Sequence, residues 1–168
     1  MLAWLAGQND LVAQFAAGED VYKYMASSIY NVPVSEVTKE QRFVGKTTIL
    51  GAGYGMGAVK FQAQLKGMGV EIELTEAQRI IDVYREANAD INGLWKKAQY
   101  TITQLANGKV ANFGKRGVIK VDASNSALIL PSGLRMYYED LKGETNEEKR
   151  VEYSYKTRRG RKYIYGGK

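Results

Sequence analysis

The sequence has 168 residues, 45% of them hydrophobic and 25% charged, the proportions of an ordinary globular chain long enough to bury a real core. Its net charge of +6 favours a polyanionic partner, nucleic acid first. It contains no cysteine and no histidine, which excludes disulfides, thiolate metal sites and the commonest general base, and no apolar run nears the ~20 residues that cross a bilayer.

Residues 1–17 carry apolar side chains at 2, 5, 11, 12, 15 and 16, broken by Gly7-Gln8-Asn9-Asp10. This pattern predicts a helix end, a turn and a short helix capped by Asn9 or Asp10. Asp20 is expected to cap a further helix through Ile29, with Tyr22, Met25, Ala26 and Ile29 at helical spacing; Tyr22 and Tyr24 are read as packing residues. Asn31-Val32-Pro33 ends that helix. Ser35 to Lys39 reads as a turn or short helix, with Thr38 capping the long helix that follows.

The stretch from Arg42 to Gly57 places Arg42, Lys46, Leu50 and Tyr54 at successive spacings of four. On an α-helix each such step rises about 6 Å and drifts about 40°, so the four lie along one stripe. Two cations about 6 Å apart match the span of a triphosphate, and an aromatic about 12 Å beyond the lysine can lie against a base or sugar. Gly51, Gly53, Gly55 and Gly57 would then open a lane without side chains. The competing reading is a surface helix with two solvated cations and a glycine-rich exit. Two motif matches are rejected. Gly45-Lys46-Thr47 resembles the end of a phosphate-binding loop, but the glycine that motif needs is replaced by Glu40 and no strand precedes it. Gly53-x-Gly55-x-x-Ala58 fits a relaxed dinucleotide fingerprint but follows a helix instead of a strand.

Ala58 to Gly67 reads as a helix, broken by Gly67-Met68-Gly69, and residues 70–74 alternate as a strand or an extended segment. Thr75 with Gln78 predicts a capping box that opens the longest helical pattern, bent or split at 88–92 and stopped by Asn107-Gly108. From Lys109 the period becomes two. Short strands are predicted at 117–121, 127–130, 134–138, 151–155 and 161–165, with a tight turn at Pro131-Ser132-Gly133 and a polar hairpin loop from Gly143 to Lys149. The run Lys156-Thr157-Arg158-Arg159-Gly160-Arg161-Lys162 is either a solvated hairpin tip or a contact for a DNA backbone. The fold class expected is α+β, helical over about 1–108 and antiparallel β over about 109–168.

R-x3-K-x7-Y-G, here Arg42, Lys46, Tyr54 and Gly55, resembles the fingers-helix motif of family A DNA polymerases. Leu2 to Gly7 resembles the segment after that family's first catalytic motif, Gly18-Glu19-Asp20-Val21-Tyr22 its G-x-D-x-[HY] element, and Leu130-Pro131-Ser132-Gly133 a turn of its phage-type members. The resemblance implies a piece of a polymerase domain, with a fingers-like part (1–108) and a palm-like part (109–168). It implies that Arg42 and Lys46 bind the phosphates of an incoming deoxynucleoside triphosphate, with Lys46 stabilising or protonating the leaving pyrophosphate. Tyr54 would pack at the templating position and Gly55 would let that region move. Leu50 stands where Phe or Tyr is commoner, beside the sugar. Lys156, Arg158, Arg159, Arg161 and Lys162 would meet DNA. The family's catalytic ions, Mg in the complete enzyme, need carboxylates from two motifs. One is expected before Met1 and the other, a histidine-aspartate pair, after Gly167, so no metal or other cofactor is expected on this piece and it is expected to be inactive alone. The implied partners are primer-template DNA, deoxynucleoside triphosphates, and the remaining palm segments of the same polymerase or a second chain. No membrane is implied; the expected location is the cytoplasm, a host's if the chain is phage-encoded. A non-enzymatic nucleic-acid-binding domain is the alternative, and a nucleotide-hydrolysing domain built on Gly45-Lys46-Thr47 a third.

Overall fold

Helical periodicity followed by alternation becomes helices followed by strands. The structure, a computed structural model, describes residues 1–147, 149 and 151–164. Among them seven α-helices precede seven short antiparallel strands, an α+β chain. It divides into two compact units that meet between Asn92 and Gly93, inside the seventh helix. Among the described residues no helix is long and apolar enough to cross a membrane.

The first unit holds α1 (Leu2–Ala6), α2 (Asn9–Ala16), α3 (Val21–Tyr30), α4 (Lys39–Ala52), α5 (Ala58–Gly67), α6 (Leu74–Ala87) and the start of α7 (Ala89–Ala106). The Asp20 side chain accepts the Tyr22 and Lys23 amides and so starts α3, and Asn31 ends it in the left-handed conformation. Thr38 and Gln41 cap α4 reciprocally, each side chain accepting the other's backbone N–H, at 3.2 and 3.0 Å. The core joins Met25 and Ile29 of α3, Val44 and Ala52 of α4, Phe61 and Leu65 of α5, and Ile80, Ile81 and Tyr84 of α6. Each large side chain buried in this way contributes about 1.5–3 kcal/mol.

Two details depart from expectation. Neither Asn9 nor Asp10 caps α2. Gln8 is the N-cap residue and makes no side-chain cap. Its amide is buried and instead ties the α6–α7 break, donating to the Ala87 carbonyl (3.4 Å) and accepting the Asp90 amide (3.1 Å). The Thr75–Gln78 capping box is absent, because α6 begins two residues earlier, with Glu73 and not Thr75 at the N-cap, and Gln78 reaches forward one turn to Asp82. Residues 70–73 form no strand, which leaves the other reading of that stretch, an extended segment. The helix break falls at Asn88, within the span expected.

In the second unit β1 (Asn112–Phe113), β2 (Ile119–Asp122), β3 (Ala127–Ile129) and β4 (Arg135–Tyr137) form one sheet in sequential order. A second sheet contains β5 (Lys142–Thr145), β6 (Val151–Thr157) and β7 (Gly160–Ile164). Alternation holds on β2, where Ile119 and Val121 are buried and Lys120 is exposed. The turn after Leu130 closes with Gly133 at φ 83 and its N–H on the Leu130 carbonyl. The polar loop expected from Gly143 to Lys149 is shorter, because Lys142 to Thr145 pair with β6 as a strand. Gly143 sits opposite Tyr153, and a Cβ there would lie 2.8 Å from that ring. The missing side chain makes room for the aromatic ring, and composition alone reads such a segment as a loop. Tyr165, expected at the end of the last strand, lies outside the described residues, as do Gly166 and Gly167.

Candidate functional site

The frame of the site is the crossing of α3 and α4. Gly45 is buried at that crossing, where a Cβ would strike the Tyr22 carbonyl oxygen and approach the Ala26 Cβ to 3.1 Å. The Thr47 and Thr48 hydroxyls bond back to the Phe43 and Val44 carbonyls one turn earlier. Gly45-Lys46-Thr47 is therefore mid-helix, its glycine used for helix packing. Burying Val44, Gly45, Thr47 and Thr48 turns the opposite side of α4 outward. Lys46 and Leu50 are exposed there and Arg42 is partly exposed.

Tyr54 continues the exposed series but not the helix. The Gly55 amide bonds the Ala52 carbonyl (2.9 Å) and the Met56 amide bonds the Gly51 carbonyl (3.3 Å). Gly55 has φ +80. This is a Schellman stop, with Tyr54 as the last half-helical residue and Gly55 in the left-handed position that glycine adopts without strain. Tyr54 is 77% exposed. The expected stripe thus holds for Arg42, Lys46 and Leu50 as helical positions, and the fourth member is displaced into the turn. The open glycine lane is corrected at Gly51 and Gly53, whereas Gly57 has open space at its Cβ position. The Met56 side chain covers Gly51, with its sulfur 3.0 Å from where a Cβ would be. The hydroxyl of buried Tyr84, whose phenol burial pushes up to about 12, lies 3.3 Å from the Cβ position of Gly53.

Arg42 is the most constrained of the candidate residues on α4. Its Nε donates to Asp20 Oδ2 at 2.6 Å, and its guanidinium carbon lies 5.3 Å from the centroid of the Tyr22 ring. The Arg42 hydrogen bond, helped by the two amides Asp20 accepts, holds the Asp20 carboxyl below its ordinary value. Sequence reading placed Asp20 as a cap and Tyr22 as packing, and missed that both also hold Arg42. The available signal was the acidic residue and aromatic of the Gly18–Tyr22 element, 22 residues before an arginine.

The basic residues of the last hairpin are dispersed. In the β6–β7 register Lys156 pairs with Arg161 and Tyr155 with Lys162, so neighbouring cations alternate between the two faces. Arg161 is engaged along its whole guanidinium: Nε to Ser154 Oγ (3.1 Å), Nη1 to Asp140 Oδ2 (2.7 Å), Nη2 to the Asp140 and Ser154 carbonyls (2.8 and 3.0 Å). Lys156 Nζ lies 3.6 Å from Glu139. Arg158 and Arg159 occupy the exposed tip and Lys162 is exposed. Among the described residues no three acidic side chains gather where they could hold a metal ion.

The sequence model of DNA polymerase family A matches residues 1–129. The chain belongs to DNA polymerase family A. It is 36% identical over 84 residues to DNA polymerase I of Mycobacterium tuberculosis, covering 50% of this chain and 9% of that protein. It is 40% identical over 65 residues to DNA polymerase I of Aquifex aeolicus, 38% of this chain and 11% of that protein. Against the DNA polymerase of Bacillus phage SP02 the match is 27% identical over 179 aligned positions, 100% of this chain and 27% of that protein. The family A chain described here therefore spans about a tenth of these two bacterial relatives and about a quarter of the phage one.

Proposed function

We propose that this chain carries the nucleotide-binding part of a DNA-directed DNA polymerase, its helical segment acting as fingers and its β-rich segment as part of the palm. The observation that carries the reading is the outward side of α4, where Arg42, Lys46 and Leu50 follow one another at four-residue steps and Tyr54 stands exposed at the helix end. Arg42 and Lys46 bind the phosphates of an incoming deoxynucleoside triphosphate. Lys46 offsets the negative charge that develops on the departing pyrophosphate and supplies its proton. Leu50 lies beside the sugar and Tyr54 beside the templating base. Gly55 frees the turn that bears Tyr54. The cations at the tip of the last hairpin touch the backbone of primer-template DNA.

The carboxylates that hold the family's catalytic ions come, in this reading, from another segment of the polymerase or from a second chain, and the 168-residue chain alone does not extend a primer. The test is Lys46→Ala in a polymerase containing this segment. Nucleotide incorporation is expected to fall about 100-fold, the usual size of such a charge-stabilising contact, with little change in primer-template affinity. Equal losses in both measurements would make Lys46 a DNA-backbone contact and remove it from the triphosphate site.

A further inference from the structure

We propose that Asp20 is a positioning residue that aims the Arg42 guanidinium at the phosphates, by holding it through Nε so that both terminal nitrogens face outward. The inference rests on the reading of Arg42 as a phosphate ligand and adds to it the device that orients the ligand.

The geometry divides the Asp20 carboxylate between two tasks. Oδ1 accepts the Tyr22 and Lys23 amides at 3.2 and 3.3 Å, so the carboxylate is anchored to the first turn of α3. Oδ2 accepts Arg42 Nε at 2.6 Å. An arginine on a helix surface has several rotatable bonds and ordinarily samples many directions. Here one edge of the guanidinium is bonded to a backbone-anchored anion and its plane lies near the Tyr22 ring. Among the described residues Nη1 and Nη2 make no hydrogen bond, and these two nitrogens form the fork that suits bidentate binding of phosphate oxygens. The frame is stiff, because Gly45, three residues beyond Arg42, lets the backbones of α3 and α4 approach closely. Asp20 also places a negative charge near an anionic ligand. That opposing effect is limited, because the carboxylate is already neutralised by the guanidinium it holds.

The experiment follows binding of inorganic tripolyphosphate and of dATP to the 168-residue chain, together with the Nε–H resonance of Arg42 in an amide-proton NMR spectrum. Asp20→Asn and Asp20→Ser both keep a good helix cap, and circular dichroism checks that α3 survives in each. Both are expected to shift the Arg42 Nε–H signal and to weaken tripolyphosphate binding about tenfold, the value of a hydrogen bond to a charged group. In an Arg42→Ala background the same changes at Asp20 should have no further effect. Binding lost in Arg42→Ala but unchanged or tighter in the Asp20 variants would overturn this inference alone, since Asp20 would then be idle or a competitor of the phosphates. Absence of binding to the unsubstituted chain, or binding unaffected by Arg42→Ala, would overturn the phosphate reading of Arg42 and this inference with it.

Discussion

Two of the arginines that pair with an aspartate in this chain have opposite prospects. On α4, Arg42 meets Asp20 through Nε, and among the described residues the end of its fork is left open. In the β5–β7 sheet, Arg161 meets Asp140 and Ser154 through Nε and both terminal nitrogens. The first pair orients a cation and the second consumes one. A basic residue in a sequence is thus a supply of donors whose availability depends on what the fold has already claimed. That is why the net charge of +6 says less about a binding surface than the bonding of each cation does.

The strongest way to break the helical side of this contrast is Gly45→Ala. The added methyl would meet the Tyr22 carbonyl and Ala26 and push α3 from α4, costing about 3 kcal/mol in chemical denaturation. Gly93, also within a helix but with nothing within 4 Å of its Cβ position, supplies the matched control. Gly93→Ala should stabilise by about 0.5–1 kcal/mol, the ordinary helix-propensity difference. Two changes of the same sign would show that the α3–α4 contact is looser than the backbone geometry requires.

On the sheet side, Arg161→Ala should destabilise the chain in chemical denaturation, because it removes the donors that now satisfy the Ser154 hydroxyl and the Asp140 and Ser154 carbonyls, while the exposed Asp140 carboxylate keeps Lys142 as a partner. The Arg161 hydrogen bond and that of Lys142 hold the Asp140 carboxyl below its ordinary value. The sign follows: stability from this pair is present above the unfolded carboxylate pKa near 3.9 and is lost as pH falls through the lower folded value. The acid limb of the stability curve should accordingly flatten in Arg161→Ala, and an unchanged limb would assign it to other carboxylates.

A smaller effect is expected at the end of α4. Gly55→Ala places a side chain at φ +80 and should cost about 1–2 kcal/mol. In a polymerase containing this segment it should also alter base-pair discrimination more than Lys46-dependent turnover, because Gly55 follows Tyr54 directly. A purely thermal effect with unchanged discrimination would leave Gly55 as a helix stop alone.

These elements also mark how far sequence reading reaches. Local signals were legible: Asp20 and Thr38 cap as expected, the helix breaks at Asn88, and the hairpin turn at Gly133 forms where Pro131-Ser132-Gly133 predicts it. Much of what failed depended on partners distant in sequence. Gln8 gave up local capping for the α6–α7 break 82 residues away. β5 formed because Tyr153 needed the space at Gly143. The four-residue stripe was visible as spacing, but its end was not, because the Schellman stop depends on Met56 folding back over Gly51. The Asp20–Arg42 pair was hidden for the same reason: a cap and a surface cation carry no sign, by themselves, that they meet.

The finest discrimination between available and claimed cations comes from salt. If the chain binds duplex DNA through phosphate neutralisation, log affinity should fall with log salt at a slope of roughly −3 to −5, nearly independent of sequence. Each cation that truly contacts a phosphate contributes about 0.9 to that slope. Arg158 and Arg159 stand exposed at the tip, so replacing both with Ala should make the slope shallower by up to about 2. Arg161→Ala, measured at a temperature where it is still folded, should change the slope by less than about 0.5, because its donors are already spent on Asp140 and Ser154. Equal slope changes from the tip and from Arg161 would mean that DNA draws Arg161 out of the sheet and that the contrast with Arg42 fails. No binding of the unsubstituted chain at low salt would make the hairpin tip a solvated surface and remove the DNA contact proposed for it.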